Sequence, residues 1–388
     1  MEDQDVTGPA WGESGPGATP SVATAAASLP ARVGIVGAGN ISDHYLRIAA
    51  GFASFEVRAV ADIDPERARA KAEAHGVQAV SVPDLLADDD IDVVVNLTVP
   101  AAHAAVSRAV LEAGKHVYSE KPLSTDRVAA AVLLTLAAER GLRVGCAPDT
   151  FLGAGLQTAR AVVDSGLIGE PVAATAFMMS SGPERWHPDP GFFFAPGAGP
   201  LFDMGPYYLT ALVNLFGAVA RVSGSAKVGR VSRPILSAPL RGTSVEVTTP
   251  THVTSLLEFA GGPVATLVTS FDAPASQLPW CEVYGTEAAL SLPDPNTFGG
   301  PLKVRRASDR EWQELPITRP YDVNSRGLGL ADMVVAAAER RAHRASGELA
   351  YHVLDVMQSV LDAAGEHAWL ELQSRVARPA ALPEDVRF

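Results

Sequence analysis

Three stretches of this 388-residue chain carry residue types that could do chemistry. The first is Gly37-Ala38-Gly39-Asn40-Ile41-Ser42, which follows the apolar run Val33-Gly34-Ile35-Val36 and leads into a helix-like segment. Gly37 permits a tight turn and Gly39 lets the backbone approach a pyrophosphate, which would then rest on the N–H groups and positive dipole end of the helix. Ser42 stands where a third glycine is usual, and small size is what that position needs. Asp62, 23 residues after Gly39 at the end of the next apolar run, would accept hydrogen bonds from the adenosine ribose hydroxyls and repel a 2′-phosphate. NAD is therefore the expected cofactor, with Arg67 leaving NADP open.

The second stretch is Ser119-Glu120-Lys121-Pro122, after the fourth apolar run, at the carboxyl edge where doubly wound sheets bind ligands. Oxidising an alcohol removes a hydroxyl proton as hydride leaves, so a cation and a proton acceptor must converge on one oxygen. Lys121 can stabilise the developing alkoxide, or act as base if burial lowers its pKa. The third stretch, Pro183 to Pro190, offers Trp186 and His187, an aromatic face for sugar C–H groups and an imidazole for hydroxyls. Asp149, at the end of the fifth apolar run, is a comparable substrate-binding candidate. Thr98, Pro100 and His103 follow the third run; His103 by itself reads equally as a packing histidine. His187 and Asp189 lack the further partners a metal needs, so no metal is expected.

These residues require elements to hold them. Short β-rich runs at Val33 to Val36, Val57 to Ala61, Val93 to Leu97, His116 to Tyr118 and Arg143 to Cys146 alternate with helix-like stretches near 42–53, 65–75, 101–113 and 125–140. That rhythm predicts an α/β Rossmann domain over residues 31–150. After a helix near 153–165, strands dominate: Val172 to Met179, Val219 to Val228, His252 to Phe259, Val264 to Phe271, Cys281 to Tyr284 and Ala289 to Leu292, with helices near 328–342 and 350–366. Residues 151–388 therefore read as an α+β domain with a largely antiparallel, open-faced sheet, C-terminal helices and roles in substrate binding and oligomerisation. Residues 1–30, rich in Ala, Gly, Pro, Ser and Thr, read as a disordered tail without the basic start of a secretory signal.

Composition excludes several classes of function. A net charge of −13 argues against nucleic acid as a partner. No apolar run reaches membrane-spanning length, and the two cysteines suit reduced thiols in a cytoplasmic protein. An acidic protein that binds an anionic dinucleotide must rely on helix-end amides and local lysine.

With these motifs in place, the chain resembles the Gfo/Idh/MocA oxidoreductases over about residues 31–370. The resemblance rests on the Gly37 fingerprint, Asn96-Leu97-Thr98-Val99-Pro100 with His103, Ala113-Gly114-Lys115-His116-Val117, Glu120-Lys121-Pro122, and Gly199-Pro200-Leu201-Phe202-Asp203-Met204-Gly205-Pro206-Tyr207. It implies hydride transfer between nicotinamide and a secondary hydroxyl or ketone of a sugar, sugar derivative or cyclitol. It also implies that Lys121 lies beside the reacting hydroxyl, and that the Thr98 to His103 loop and Glu120 lie by the cofactor. Many members read Asp-x-Gly-x-His in the last motif; here the histidine is replaced by Tyr207, as in branches where tyrosine relays the proton. Lys121, Asp203 and Tyr207 are thus the expected catalytic set, with the lysine drawing the phenol's pKa downward. The replacement leaves open that Tyr207 only orients substrate. Tyr208, one step around the helix, is expected in the core. A homodimer or homotetramer through the open sheet face is expected. Alternatives are a tightly held NAD serving transient oxidation, and a non-catalytic dinucleotide sensor.

Overall fold

The computed structural model describes residues 29–388, so the expected disordered tail lies outside the described residues except for its last two. The first half runs β1 (Ala31–Val36), α1 (Ser42–Ala49), β2 (Phe55–Ala61), α2 (Pro65–His75), β3 (Gln78–Ala79), α3 (Val82–Ala87), β4 (Val93–Asn96), α4 (His103–Glu112), β5 (His116–Ser119), α5 (Arg127–Glu139) and β6 (Val144–Cys146). The strands form one parallel sheet in the order β3-β2-β1-β4-β5-β6. Every residue of β4 and β5 is buried, as expected of a parallel sheet covered on both faces. The order reverses between β1 and β4, and that switch point opens a crevice beyond the carboxyl ends. Val36 pairs with Asn96 there, which places the Gly37 turn beside the Thr98 loop.

The chain continues through α6 (Ala154–Asp164), β7 (Pro171–Met179), α7 (Gly199–Phe216), β8 (Val219–Lys227), β9 (Ser232–Pro234), β10 (Ser244–Glu246), β11 (His252–Phe259), β12 (Val264–Ser270), β13 (Cys281–Gly285), β14 (Ala288–Leu292), β15 (Leu302–Arg306), β16 (Gln313–Leu315), α8 (Leu328–Ala338), α9 (Gly347–Glu366) and β17 (Leu370–Glu371). Its main sheet has the order β16-β15-β14-β13-β7-β12-β11-β8-β17 and is antiparallel except where β7 meets β12. Helix α7 lies on β7, β11 and β12, and α9 lies on β8. Thr175, Phe177, Thr266, Val268, Thr254 and Leu256 face the other side, half-buried or exposed. The long strands, the parallel sheet and the C-terminal helices lie where the sequence placed them; β3, α3, β9, β10, β15, β16 and β17 are additions. Cys146 and Cys281 are buried free thiols.

The halves are clamped together by α5 and α9. Arg127 donates to Asp355 at 3.1 Å and also pairs with Asp362, while its backbone N–H donates to Gln358 at 3.0 Å. Among the described residues no helix is long and apolar enough to cross a membrane.

Candidate active site

At the switch point, Gly37 has φ +106°, and a Cβ there would lie 2.6 Å from the Leu97 carbonyl carbon and oxygen. Only glycine fits, on both steric and conformational grounds. Gly39 differs: no atom lies within 4 Å of where its Cβ would be, so the backbone is open to an approaching group. Ser42 is fully buried and its hydroxyl donates to the Gly39 carbonyl at 2.7 Å, a hydrogen bond that a third glycine could not make. No side chain caps α1, Asn40 is exposed and Ile41 is half-buried, which leaves the helix N-terminus available to an anion. The Asp62 carboxylate accepts the backbone N–H groups of Ala38 at 2.7 Å and Asp64 at 2.9 Å, with Arg67 3.7 Å away. An open glycine, an uncapped helix and a fixed carboxylate suit a pyrophosphate and a ribose diol; when bound, a nicotinamide dinucleotide supplies the hydride acceptor or donor.

Lys121 follows β5 at the same edge. Its Nζ donates to Asp203 Oδ1 at 2.8 Å and to the Asp203 backbone carbonyl at 2.5 Å, and lies 5.2 Å from the centre of the Tyr207 ring. Asp203 and Tyr207 sit one turn apart on α7 and so share a helix face. Between them Pro206 withdraws the N–H that would bond to the Phe202 carbonyl. Behind the lysine lies a cavity of about 10 Å³, room for about one water, bounded by Pro122, Leu123, Cys146 and Met357. Burial disfavours the Lys121 ammonium, but Asp203, Tyr207 and Glu120 outweigh it and hold the pKa above the ordinary lysine value. The condition for a base role, a pKa lowered by burial, is not met by these groups. Burial also pushes the Tyr207 phenol above its ordinary value, against the pull of Lys121 and Arg326. The expected downward shift is reversed because desolvation of the phenolate is the larger effect.

Other expected residues have structural partners. His103 is 1% exposed; its Nδ1 lies 2.6 Å from the Pro122 carbonyl and its Nε2 3.0 Å from the Thr98 carbonyl. It ties the Thr98 loop to the Lys121 loop rather than facing the crevice. Thr98 is held by Asn96 through its N–H and hydroxyl, and Pro100 opens a short 3₁₀ turn. Glu120 accepts the Tyr45 hydroxyl at 3.0 Å and the Lys121 N–H at 3.0 Å. Asp149, expected at the substrate, is 1% exposed, and its Oδ2 accepts the N–H groups of Gly327 at 2.8 Å and Gly329 at 3.0 Å. Its carboxylate caps the start of α8, where the dipole favours negative charge. Trp186 is 66% exposed and packs edge-on against His187 and Phe193. No hydrogen bond or ring contact joins Trp186 or His187 to Lys121, Asp203 or Tyr207 among the described residues. Tyr208 is buried in the core as expected. No metal-binding cluster occurs among the described residues.

Sequence reasoning missed Arg326. Its guanidinium donates to Asn296 Oδ1 at 3.0 Å and Asn324 Oδ1 at 3.2 Å, and its charge pulls the Tyr207 phenol's pKa downward. One signal was available: an arginine just before an apolar helix opposes the helix dipole, and such breaches of local preference often mark sites.

The family model described as "Oxidoreductase family, NAD-binding Rossmann fold" matches residues 31–147, and "GFO/IDH/MocA C-terminal domain" matches residues 156–291. The chain belongs to the Gfo/Idh/MocA oxidoreductase family. A family relative, the dTDP-3,4-didehydro-2,6-dideoxy-alpha-D-glucose 3-reductase of Streptomyces violaceoruber, is 37% identical over 199 residues, 50% of this chain and 57% of that protein. The reductase of the same name from Actinomadura kijaniata is 32% identical over 239 residues, 59% of this chain and 68% of that protein. The matches thus span only about three-fifths of these relatives' own length. In fold the chain also resembles levoglucosan dehydrogenase in complex with NADH and levoglucosan, with TM-score 0.76 and 21% identity over 88% of this chain and 99% of that one.

Proposed function

We propose that this Gfo/Idh/MocA protein is an NAD-dependent dehydrogenase or reductase that interconverts a secondary hydroxyl and a ketone on a sugar, sugar derivative or cyclitol. The observation that carries this is the Lys121 ammonium, fixed on Asp203 and facing the Tyr207 ring at the carboxyl edge that also bears Gly37, Gly39 and Asp62. Lys121 supplies fixed positive charge where oxyanion character develops, and its raised pKa suits that role rather than proton abstraction. Tyr207 carries the proton. Its raised pKa keeps the phenol protonated near neutrality, which suits donation to a ketone oxygen. Asp203 sets the position of the ammonium, Asp62 reads the ribose diol, and Glu120 with the Thr98 to His103 loop shapes the cofactor's reactive end. Trp186 and His187, on the loop before α7, are assigned to the substrate for their aromatic face and imidazole rather than for any contact with Lys121, Asp203 or Tyr207.

The names of the Streptomyces and Actinomadura relatives favour a keto-sugar within this substrate range. The uncovered side of the second sheet, where Phe177, Val268 and Leu256 lie among Thr175, Thr266 and Thr254, supports self-association as a dimer or tetramer. A cytoplasmic location fits the buried free thiols. The test is a panel of sugars, inositols and keto-sugars followed by nicotinamide absorbance, with NAD and NADP in parallel. Turnover with NAD on at least one compound supports the assignment; dinucleotide binding without turnover on any of them overturns it.

A further inference from the structure

At the end of the second sheet where α7 begins lies a cavity of about 330 Å³, within the size range of small-molecule sites. One wall is an ion-pair network centred on Arg233, which is 4% exposed. The Arg233 guanidinium donates to Glu184 Oε1 at 2.9 Å, to Asp272 Oδ1 at 2.5 Å and to the Ser181 and Phe271 carbonyls at 3.0 and 2.8 Å, and it lies over the Phe194 ring. That network occupies Arg233 and neutralises both carboxylates. Two further arginines, Arg185 and Arg230, line the same cavity. Both are exposed, and among the described residues neither forms a hydrogen bond or a salt bridge. In a chain of net charge −13, two cations without counter-ions on one cavity are a local arrangement that favours an anion. Pro234, Leu236 and Phe271 add an apolar side.

The cavity is tied to both elements that serve the active site. Asp272 Oδ2 accepts the Thr251 hydroxyl at 2.5 Å, the Thr249 hydroxyl donates to the Ala198 carbonyl at 3.4 Å, and a Cβ on Gly199 would lie 2.6 Å from the Pro250 carbonyl oxygen. Gly199 is the first residue of α7, and Asp203 stands about 6 Å further along that helix axis. On the other side the Leu236 N–H donates to the Glu184 carbonyl at 2.9 Å and the Ser237 hydroxyl bonds the His187 carbonyl, so the loop carrying Trp186 and His187 forms part of the wall.

We propose that this cavity binds a phosphate ester, with Arg185 and Arg230 as its cations. Guanidinium forks match phosphate oxygens two at a time, two of them balance a dianion, and the apolar side suits the carbon skeleton that bears the phosphate. Pairing with Arg233 offsets the repulsion that Glu184 and Asp272 would otherwise exert on the ligand. The ester is carried either by the sugar substrate itself, a reading that rests on the function proposed above, or by a separate ligand that sets the Trp186 loop; the chemistry recognised is the same.

The test is isothermal titration calorimetry of the full chain with glucose 1-phosphate, inorganic pyrophosphate and unphosphorylated glucose, with and without saturating NADH, which competes for any phosphate held at the Gly37 turn. Glucose 1-phosphate or pyrophosphate is expected to bind in both conditions, and glucose in neither. Arg185→Gln and Arg230→Gln are each expected to weaken that binding about tenfold, and the double variant about a hundredfold, with NADH affinity unchanged. Arg→Lys at both positions, which keeps the charge, is expected to return part of the loss. Both side chains are exposed and unbonded, so the urea unfolding midpoint should not move. Equal affinity of the parent and the double variant overturns the proposal, as does absence of binding of both phosphate probes by the parent at millimolar concentration. These arms involve no turnover, so their failure is separable from failure of the proposed redox function. Turnover then distinguishes the sources: a raised KM for glucose 1-phosphate in the double variant assigns the phosphate to the substrate, whereas altered turnover of an uncharged sugar by unconsumed glucose 1-phosphate assigns it to a separate ligand.

Discussion

Asp203 holds Lys121 twice, with its side-chain Oδ1 2.8 Å and its backbone carbonyl 2.5 Å from the same Nζ. A flexible four-carbon stem is thereby reduced to one position, and a helix of one sheet layer fixes the charge carried by a loop of the other. Preorganisation of this kind is where electrostatic catalysis finds most of its effect. Asp203→Asn is expected to lower kcat at least tenfold. It also removes the main influence that raises the Lys121 pKa and leaves the desolvation that lowers it, so activity should decline at alkaline pH where the parent enzyme stays flat. The kcat–pH profiles of the two proteins decide this; parallel profiles would contradict it.

Asp62 is expected to set dinucleotide choice. Asp62→Ala should weaken NADH binding about tenfold, the loss of one to two charge-assisted hydrogen bonds. With the carboxylate gone, Arg67, now 3.7 Å from it, becomes free to meet a 2′-phosphate, and NADPH affinity should rise. Titration of protein fluorescence with each dinucleotide measures both effects.

Asp149 has a structural role, and its loss should show as instability. Asp149→Ala leaves two buried N–H groups at the start of α8 without an acceptor and is expected to cost about 2–4 kcal/mol in chemical denaturation.

Two buried histidines predict the acid limit of the fold. Burial lowers the pKa of both His116 and His352 to about 4. His352 accepts the Val219 N–H at 3.0 Å and His116 accepts the Arg143 N–H at 2.9 Å, bonds that need a neutral ring. Between the unfolded value near 6.5 and about 4 the unfolded chain binds more protons, so stability rises with pH there. The contribution is complete above about pH 6.5 and is lost as pH falls towards 4, by about 3 kcal/mol per group. Urea unfolding at pH 7 and pH 5 measures it, and His352→Gln should flatten the difference.

The Rossmann half was readable because its signals are local: glycines where φ is positive, apolar runs of strand length, and an acidic residue at the end of the second run. Lys121 could be placed because a strand end has only one carboxyl edge. Helix α7 was harder to see, since Gly199, Pro200, Gly205 and Pro206 depress helix propensity and burial against the sheet overrides them. Asp149 looked like a ligand because a strand-end carboxylate at a domain junction usually is one, and its partners Gly327 and Gly329 come from nearly 180 residues away. Arg326 was hidden for the same reason, since Asn296, which it contacts, lies 30 residues away in the chain.

The most direct measurement is NADH formation or consumption across the polyol and keto-sugar panel for the parent protein, Lys121→Met and Tyr207→Phe, alongside NADH binding by each. Turnover by the parent is expected, with a loss of at least about a thousandfold in Lys121→Met and about a hundredfold in Tyr207→Phe, and near-parental NADH affinity in both. Turnover by Lys121→Met at the parental rate would contradict the role given to Lys121.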